Sequence, residues 1–514
     1  MNCQKSDTMK KSESLPFTLE QDAVADWLSR LDVKDSIASG ATFYAALKKI
    51  PHIRLGDKDL LAVLDILTPS VLHISDNLIA SLLPSIIAEG SVKPKSRKLA
   101  RLSSQLLRSH CLAYCHASTA QSLNEKCKAH AIFTAMQITG LTMRTNTLIS
   151  ERNSSTLWQK TGELYRIARN EQLIPISLSS KIPVFKAHKS ISSVLKRNLL
   201  FALFDPYPAP AERIIAYFDL ADRIADLIAF EKSLNPSYNF YWDGRDKTLH
   251  QDIPDIPGEN GLIFNTEEVA QQLSSLAPEM EGQDDLYFTL RQKISGYQDI
   301  LDSVILSRPK AYCYTVGITP ISERLKHLER IFKIHRLGGP MAKAELLSKM
   351  ELVPMESEFK MLSPRQLHLS QDSGKSIKVE WINIQQTKFT QYILGHAKNE
   401  RLTAGQPIFL YNEQDMPCIG IIRKKIKSSS PIQQFLIEIL PGKPNSVEFR
   451  IQTTTIEALL INTPSKTETV LLPPGKYSTG DELIRVEQLD KRYYLNKLLE
   501  AGEHFMHYRI VSDY

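Results

Sequence analysis

The spacing of hydrophobic residues divides the chain into a helical first part and a β-rich second part. From about residue 18 to 300 the apolar residues recur at helical intervals, as in "LPFTLEQDAVADWLSRLDV", where Val24, Leu28 and Leu31 fall near one face. Short polar connections join successive amphipathic segments of this kind. The pattern therefore predicts a helical bundle or stacked helical pairs over 18–235.

One of these segments contains a proline. The run "DLLAVLDILTPSVLHISDNLIASLLPSIIAEG" is apolar at helical spacing on both sides of Pro69 and ends at Gly90. Proline interrupts the hydrogen bonds of a helix, and glycine is the commonest residue just after a helix. We therefore expect two helices here, with Pro69 between them and Gly90 as the C-terminal cap.

The pattern changes near residue 236. The segment "NPSYNFYWDGRDKTLHQDIPDIPGENG" is rich in Pro, Gly and Asp, which predicts a connector with helices over 236–304. After about residue 311 the hydrophobic period falls to two, in about eleven short runs such as "SIKVEWINI", "PIFLYN" and "QFLIEIL". These runs predict small barrels or sandwiches, with a helical insertion near 320–352.

Composition narrows the class of protein. The chain has 514 residues, of which 42% are hydrophobic and 23% charged, so we expect two to four globular domains. Residues 1–17 lack an apolar run and are predicted to form a disordered tail rather than a signal peptide. No uninterrupted apolar stretch approaches about 18 residues, so no transmembrane segment is expected. Six scattered cysteines and a net charge of +6 fit a cytoplasmic protein, for which an anionic partner is allowed but not required.

The chain lacks the sequence signs of an enzyme. Gly374-Lys375-Ser376 ends like a phosphate-binding P-loop, but Leu369 stands where that motif needs its first glycine. Strand-like alternation follows Ser376, where a P-loop requires a helix, so we expect a tight turn between strands. There is also no nucleophile elbow, no HExxH and no glycine fingerprint after a strand. We therefore predict a non-catalytic protein with no catalytic residues and no cofactor.

Two further groups of residues have features of metal or nucleic-acid sites. Cys111 and Cys115, flanked by His110 and His116, have a spacing that zinc ligands can use, but nothing nearby completes four ligands. A buried helix face is the better interpretation, and no metal is predicted. The basic run "VKPKSRKLAR" has no interleaved aromatic residues, so it predicts a solvated helix start and nucleic acid is not expected as a partner.

A second basic run, "RKKIK" at 423–427, allows two interpretations. It lies on a predicted strand, and cations on an edge strand discourage pairing with other sheets. The same cations can instead form a positive rim near a ligand-binding face.

The order of the β-rich segments resembles that of a PilZ domain, a β-barrel that binds cyclic di-GMP in bacteria. A strand leads to a turn with a central serine, then to an alternating strand, then to "GQPIFLYN", "CIGIIRKKIK" and "QFLIEIL". Segments such as "RSHCLAYCH", "LWQKTGELYRIARNEQL" and "RNLLFALFDPYPAPAERI" are similar to those of long bacterial PilZ-type proteins with a helical N-terminal region. The resemblance covers most of the chain.

The resemblance implies a ligand site with two parts. The first is an RxxxR segment before the first barrel strand, whose guanidinium groups hold phosphate and stack on guanine. Here Arg308 and Lys310 stand in that segment, while the positions four residues from Arg308 hold Val304 and Tyr312. Lys310 can supply charge but not the planar fork of donors that a second arginine provides.

The second part implied by the resemblance is a [DN]xSxxG turn that reads the guanine edge. Ser373 matches its serine, so Gln371 takes the acidic or amide position and Ser376 takes the place of the glycine. Asp372 and Gly374 lie one or two places out of register. Both parts of the site are thus incomplete in this chain.

These observations predict an α+β multidomain protein. An all-helical N-terminal region precedes a PilZ-like β-barrel over 305–446 and additional C-terminal β-strands over 447–514. The first hypothesis is a cytoplasmic signalling protein that binds cyclic di-GMP through Arg308, Lys310 and the Ser373 turn, and a protein partner through its helical region. The second hypothesis is a protein–protein adaptor of the same architecture without nucleotide binding.

Overall fold

The computed structural model describes most of the chain. The residues outside the described part are 1–14, 19, 33–34, 53–56, 121, 181, 183–188, 246–248, 252, 255, 277–283, 306–307, 337–379, 399–400, 413–414, 427–430, 466, 489–490 and 513–514. Most of the predicted tail, the second part of the predicted helical insertion and the whole Ser373 turn, including Gln371, Asp372 and Ser376, therefore lie outside the described residues.

The first part of the described chain is helical. Its α-helices share one continuous hydrophobic core, which also takes in the connector that follows them. Their bounds are α1 Gln21–Ser29, α2 Ser36–Lys49, α3 Asp57–Glu89, α4 Arg97–Ser118, α5 Glu125–Leu148, α6 Ser155–Asn170, α7 Ile191–Phe204 and α8 Ala211–Ile224.

Helix α3 corrects the prediction of two helices separated at Pro69. It runs unbroken through Pro69 and Pro84, although each proline removes one backbone hydrogen bond. Its apolar face, from Leu60 to Ile86, is buried in the shared core and packs on α4, which outweighs the cost of the prolines. Gly90 follows the helix with φ +69°, as expected for a C-terminal cap.

The same helix bears on the expectation that the chain has no transmembrane segment. Within the described residues, Asp59–Glu89 is long and apolar enough to cross a membrane. Core helices pass the same test of length and composition, so this finding is weak evidence for a span.

Helix α5 lies at the centre of the helical region and is buried on nearly every side from Ala129 onward. Many of its buried residues are polar, and several of them bond locally or to adjacent elements. Thr142 donates to the carbonyl of Ile138 at 2.8 Å, and the Asn198 amide of α7 donates to the carbonyl of Met136 at 2.9 Å. This satisfaction of buried polar groups is what allows a helix of modest hydrophobicity to occupy the core.

The connector predicted over 236–304 contains a small sheet and short helices. Trp242 of its first strand is fully buried and meets Trp158 of α6 edge to face at 5.7 Å, which fixes the connector to the helical region. The sheet has the order β2-β1-β3. The elements are β1 Asn239–Trp242, β2 Leu249–His250, β3 Leu262–Asn265, α9 Glu267–Leu276, α10 Asp284–Ile294 and α11 Gln298–Leu301.

The next described strands close into an antiparallel barrel of order β4-β5-β6-β9-β8-β7, called here the first barrel. Its interior holds alternating apolar residues such as Ile382, Leu410 and Phe435. Closure comes from β4 and β7, which pair Val316 with Ile408. The strands are β4 Lys310–Val316, β5 Glu380–Gln386, β6 Tyr392–Ala397, β7 Pro407–Tyr411, β8 Cys418–Ile426 and β9 Gln433–Ile439.

The remaining strands close into a second antiparallel barrel of order β10-β11-β12-β15-β14-β13. The confirmed fold class is thus α+β: a helical N-terminal region, a β-barrel, and additional C-terminal strands that themselves form a barrel. The strands are β10 Lys443–Ile451, β11 Thr454–Asn462, β12 Glu468–Leu472, β13 Glu482–Arg485, β14 Arg492–Ala501 and β15 Met506–Ser512.

Helix α12, Ile318–Arg336, follows β4 and joins the two barrels. Its apolar residues Ile321 and Leu325 share a core with residues of both barrels. Lys326 adds ion pairs to Glu448 at 2.6 Å and Glu457 at 3.0 Å on the second barrel. The described part of the predicted insertion near 320–352 is therefore a helix that packs between the two barrels.

Both barrels also contact the preceding regions. Lys497 of β14 donates to the backbone carbonyls of Pro208 and Ala209, at 3.0 and 2.8 Å, just beyond α7. In the first barrel, Lys424 of β8 donates to the carbonyl of Gly296 at 2.8 Å in the connector. These bonds fix the second barrel to the helical region and the first barrel to the connector.

Candidate functional site

Arg308 and Lys310 lie where the connector enters the first barrel. The backbone N–H of Ile305 donates to the carbonyl of Gln386 at 2.9 Å, so the segment is fastened to β5 before β4 begins. Both basic side chains are exposed. Pro309 favours an extended backbone at Arg308, and in extended chain residues two apart point to the same side. The local structure therefore supports a small cationic patch at the start of β4.

A carboxylate not singled out from the sequence stands beside this patch. Asp415, in the connection between β7 and β8, has its Oδ2 atom 3.7 Å from the Lys310 ammonium. The Tyr312 hydroxyl donates to the same carboxylate, and the Asn412 amide donates to it at 2.8 Å. These two hydrogen bonds, reinforced by the charge of Lys310, lower the pKa of Asp415, so the group is ionised at neutral pH.

Val304 and Tyr312 occupy the two positions where the resemblance implies a second arginine, and both make contacts within this fold. Val304 forms an isolated β-bridge with Thr387, next to the Ile305 bond that fastens the segment. Tyr312 has its pKa raised, first by burial and then by Asp415, and it donates to that carboxylate as a neutral phenol. Val304 and Tyr312 thus both contribute to contacts within the barrel. The basic residues of this segment are one arginine, Arg308, and one lysine, Lys310.

The described part of the "RKKIK" run lies at the end of β8, beyond the residues that pair with β7, so Lys424 to Ile426 pair with β9 alone. Strand β8 pairs with both β7 and β9, and between Ile422 and Lys424 its register with β9 shifts, which leaves Arg423 as an extra residue. A β-bulge of this kind redirects a side chain. Arg423 accordingly reaches Glu438 of β9 at 2.5 Å and, through two nitrogens, Glu500 of the second barrel at 2.5 and 2.9 Å. The cation that suggested an exposed rim links the two barrels instead.

Arg423 stands at one side of a cavity of about 1310 Å³ between the helical region, the connector and both barrels. Asp205, Tyr297, Lys424 and His504 are among its lining residues, whereas neither Arg308 nor Lys310 lines it. Some charged side chains of this cavity pair with one another: Lys293 lies 3.6 Å from Asp205, and Arg423 bonds to Glu500. Sequence reasoning missed this junction because its members are far apart in the chain.

Of the residues considered as zinc ligands, three are part of the core, whereas His116 is exposed. Cys111 and Cys115 are buried on α4, and burial lowers the pKa of His110 to about 3, so that imidazole stays neutral. His110 instead bonds with Thr68 of α3 at 2.9 Å. Among the described residues no group of three or more potential ligands is placed to hold a metal ion.

The helical region is similar to one known protein family. Residues 22–236 match the family model described as "Cyclic-di-GMP receptor FimW, N-terminal domain". We call this matched region, residues 22–236, the FimW-type domain after the family that it resembles. The match ends between α8 and β1, where the connector replaces the helices.

This match confirms the resemblance to cyclic di-GMP receptors with a helical N-terminal region. The FimW-type domain includes the segments "RSHCLAYCH" and "LWQKTGELYRIARNEQL" that suggested the relationship. The barrels, and with them Arg308 and Lys310, lie beyond the matched residues. No curated protein and no solved structure matches the chain.

Proposed function

We propose that this protein is a non-catalytic regulatory protein that binds cyclic di-GMP and passes the signal to a protein partner. The observation that carries the proposal is the FimW-type domain over residues 22–236, whose family is described as a cyclic di-GMP receptor. The exposed Arg308 and Lys310 at the entrance to a closed barrel support it, because guanidinium and ammonium groups are the side chains that bind phosphate.

The ligand site of this proposal comprises Arg308, Lys310 and the turn with Gln371, Asp372, Ser373 and Ser376, which lies outside the described residues. Arg308 holds phosphate with its forked donors, and Lys310 adds a second positive charge. The turn contributes hydroxyl and carboxylate acceptors for the guanine edge. One arginine fewer than the family pattern removes charge-assisted hydrogen bonds of about 1.5–3 kcal/mol each, so we expect weak affinity, in the micromolar range.

A contiguous route leads from this site to the helical region. Ile305 is bonded to β5, and the preceding helix α11 packs with Ile300 against Tyr392 and Leu436 on the outside of the barrel. Lys424 then bonds to Gly296, and the connector is fastened to the helical region by Trp242. A ligand that orders the segment around Arg308 therefore acts on elements that contact the helices. If the ligand binds one arrangement of the barrel and the helical region more tightly than another, it increases the population of the first arrangement.

We place this protein in the cytoplasm and assign it to control of surface attachment, motility or type IV pili. A protein partner binds the helical region, where Ile37 of α2 and Ile87 of α3 are large apolar side chains that remain exposed. The placement rests on the dispersed cysteines and the family resemblance.

Isothermal titration of the full chain with cyclic di-GMP tests the proposal. We expect measurable binding, and we expect Arg308→Ala to abolish it. Arg450→Ala is the matched control, because it removes an exposed arginine from the second barrel and should leave the affinity unchanged. No heat at high micromolar ligand would overturn the proposal. Unchanged affinity in Arg308→Ala would show that the ligand binds elsewhere, and hydrolysis of GTP or ATP by the chain would contradict the non-catalytic assignment.

One observation favours the adaptor as a second candidate. Lys310, the lysine that has to compensate for the missing arginine, is already close to a fixed carboxylate. In an adaptor the two barrels and the helical region act only through protein contacts. Partner capture that is unaffected by cyclic di-GMP and by Arg308→Ala would support the adaptor.

A further inference from the structure

The group that faces Lys310 is held more firmly than an ordinary surface counter-ion. Asp415 accepts hydrogen bonds from Tyr312 and Asn412, and its own backbone N–H donates to the Asn412 side-chain carbonyl at 2.6 Å. Its side chain is 37% exposed, whereas that of Lys310 is 60% exposed. The carboxylate is therefore held by the barrel, and the lysine is the more exposed member of the pair.

Neighbouring residues keep this carboxylate in place independently of Lys310. Tyr312 belongs to β4 and Asn412 directly follows β7, two strands that are paired in the closed barrel. Both hydrogen bonds favour the ionised form of Asp415, whose pKa is lowered. A negative charge consequently persists at this end of the barrel whether or not Lys310 turns away toward a ligand.

A phosphate that approaches Lys310 meets this fixed charge. Two unit charges about 4 Å apart change an equilibrium by about fivefold in bulk water, and by more near a protein surface. The ligand must also compete with Asp415 for the ammonium group. The repulsion and the competition act in the same direction.

We propose that Asp415 is an affinity-limiting residue of the ligand site, which weakens the binding of phosphate-bearing ligands at Lys310 by repulsion and by competition for its ammonium group. The inference rests on the proposed function for the identity of the ligand, cyclic di-GMP. It goes beyond that function because it assigns a role to a residue outside the motifs implied by the resemblance.

The test compares four full-length proteins by isothermal titration with cyclic di-GMP: the wild type, Asp415→Asn, Lys310→Met and the double variant. Asparagine keeps an oxygen that can accept from Tyr312 and Asn412, so the local fold is preserved while the charge is removed. We expect Asp415→Asn to bind about tenfold more tightly than the wild type. The gain should shrink to about fivefold when Lys310 is methionine, because the competition for the ammonium group is then absent and only the repulsion remains.

The matched control is Glu380→Gln. Glu380, at the start of β5, accepts a hydrogen bond from Tyr314 at 2.5 Å, so this variant also neutralises a carboxylate bonded to a β4 tyrosine. It lies opposite Tyr314, whereas Lys310 lies opposite Ile384 farther along the same pair of strands. Four residues of extended chain span about 13 Å, which exceeds the screening length of about 8 Å at physiological salt. We expect unchanged affinity.

Titration with inorganic pyrophosphate, followed by phosphorus NMR, separates this inference from the proposed function. If pyrophosphate binds Asp415→Asn more tightly than the wild type while cyclic di-GMP binds neither, the inference stands and the proposed function falls. If cyclic di-GMP binds the wild type and Asp415→Asn equally, or the variant more weakly, the inference is overturned and the proposed function stands. If neither probe distinguishes the two proteins, Asp415 has no such role.

Discussion

The ion pairs of Arg423 offer a sharp test of how the two barrels are held together. The guanidinium group bonds to Glu438 of its own barrel and to Glu500 of the second barrel, and the three side chains are 15%, 24% and 20% exposed. Burial lowers the pKa of Arg423, but the two carboxylates outweigh this effect and raise it. The group is therefore a charged, largely buried link between barrels.

Arg423→Met removes the cation and leaves two carboxylates in a poorly solvated place. Removing one partner of a buried ion pair typically costs about 3–5 kcal/mol, and because these side chains keep some exposure we expect about 3 kcal/mol here. The matched control is Arg492→Met. Arg492 is 55% exposed and pairs with Glu482 at 3.0 Å on the second barrel, so its loss should cost less than about 1 kcal/mol.

The stability deficit of Arg423→Met should also change with pH in a defined direction. In the wild type, burial raises the pKa of Glu500 but Arg423 more than compensates, so the pKa is lowered. The resulting stability is present above the unfolded value of about 4.5 and is lost as pH falls through the folded pKa. Without Arg423, burial raises the pKa of Glu500, so the folded variant takes up a proton above pH 4.5. The deficit of Arg423→Met should therefore shrink as pH falls from 7 toward 4.5.

Urea unfolding, together with hydrogen exchange measured on peptides of β8, β9 and β14, provides the assay. We expect faster exchange in these three strands for Arg423→Met, and partial recovery when Glu438→Gln and Glu500→Gln are added. The reasoning is refuted if Arg423→Met costs no more than Arg492→Met, or if its deficit grows toward pH 4.5.

Two further predictions concern the contacts between regions. Burial lowers the pKa of Lys497 to about 8, so the unfolded chain binds more protons than the folded chain between pH 8 and 10.5. Relative to Lys497→Met, the wild type should therefore gain about 3 kcal/mol of stability as pH rises across that range. Urea unfolding measures this difference, and a difference that does not change with pH would contradict the assignment. Gly162→Ala should cost about 2–3 kcal/mol, because its new methyl group would lie 2.1 Å from the carbonyl oxygen of Gly244 in the connector. Thermal unfolding measures this cost, and in the same experiment Gly258→Ala, where the nearest atom is 3.6 Å away, should be nearly neutral.

Local spacing in the sequence determined the type and order of the elements. The period of 3.6 up to the connector and the period of two after it predicted helices followed by short strands, because each element buries one face and that face sets the repeat. The sequence also pointed to Arg308 and Lys310, which are exposed at the entrance of the first barrel. These features depend on residues close together in the chain.

Tertiary structure decided the features that depend on distant residues. Helix α3 passes through Pro69 because its apolar face packs on α4, and local propensity alone predicted a break. The bulge at Arg423 redirects a side chain that simple alternation placed elsewhere, and its partner Glu500 lies 77 residues away. Asp415 faces Lys310 only because β7 closes the barrel against β4. Barrel closure and these side-chain contacts depend on the register between strands that are distant in the sequence. Local sequence patterns do not specify that register.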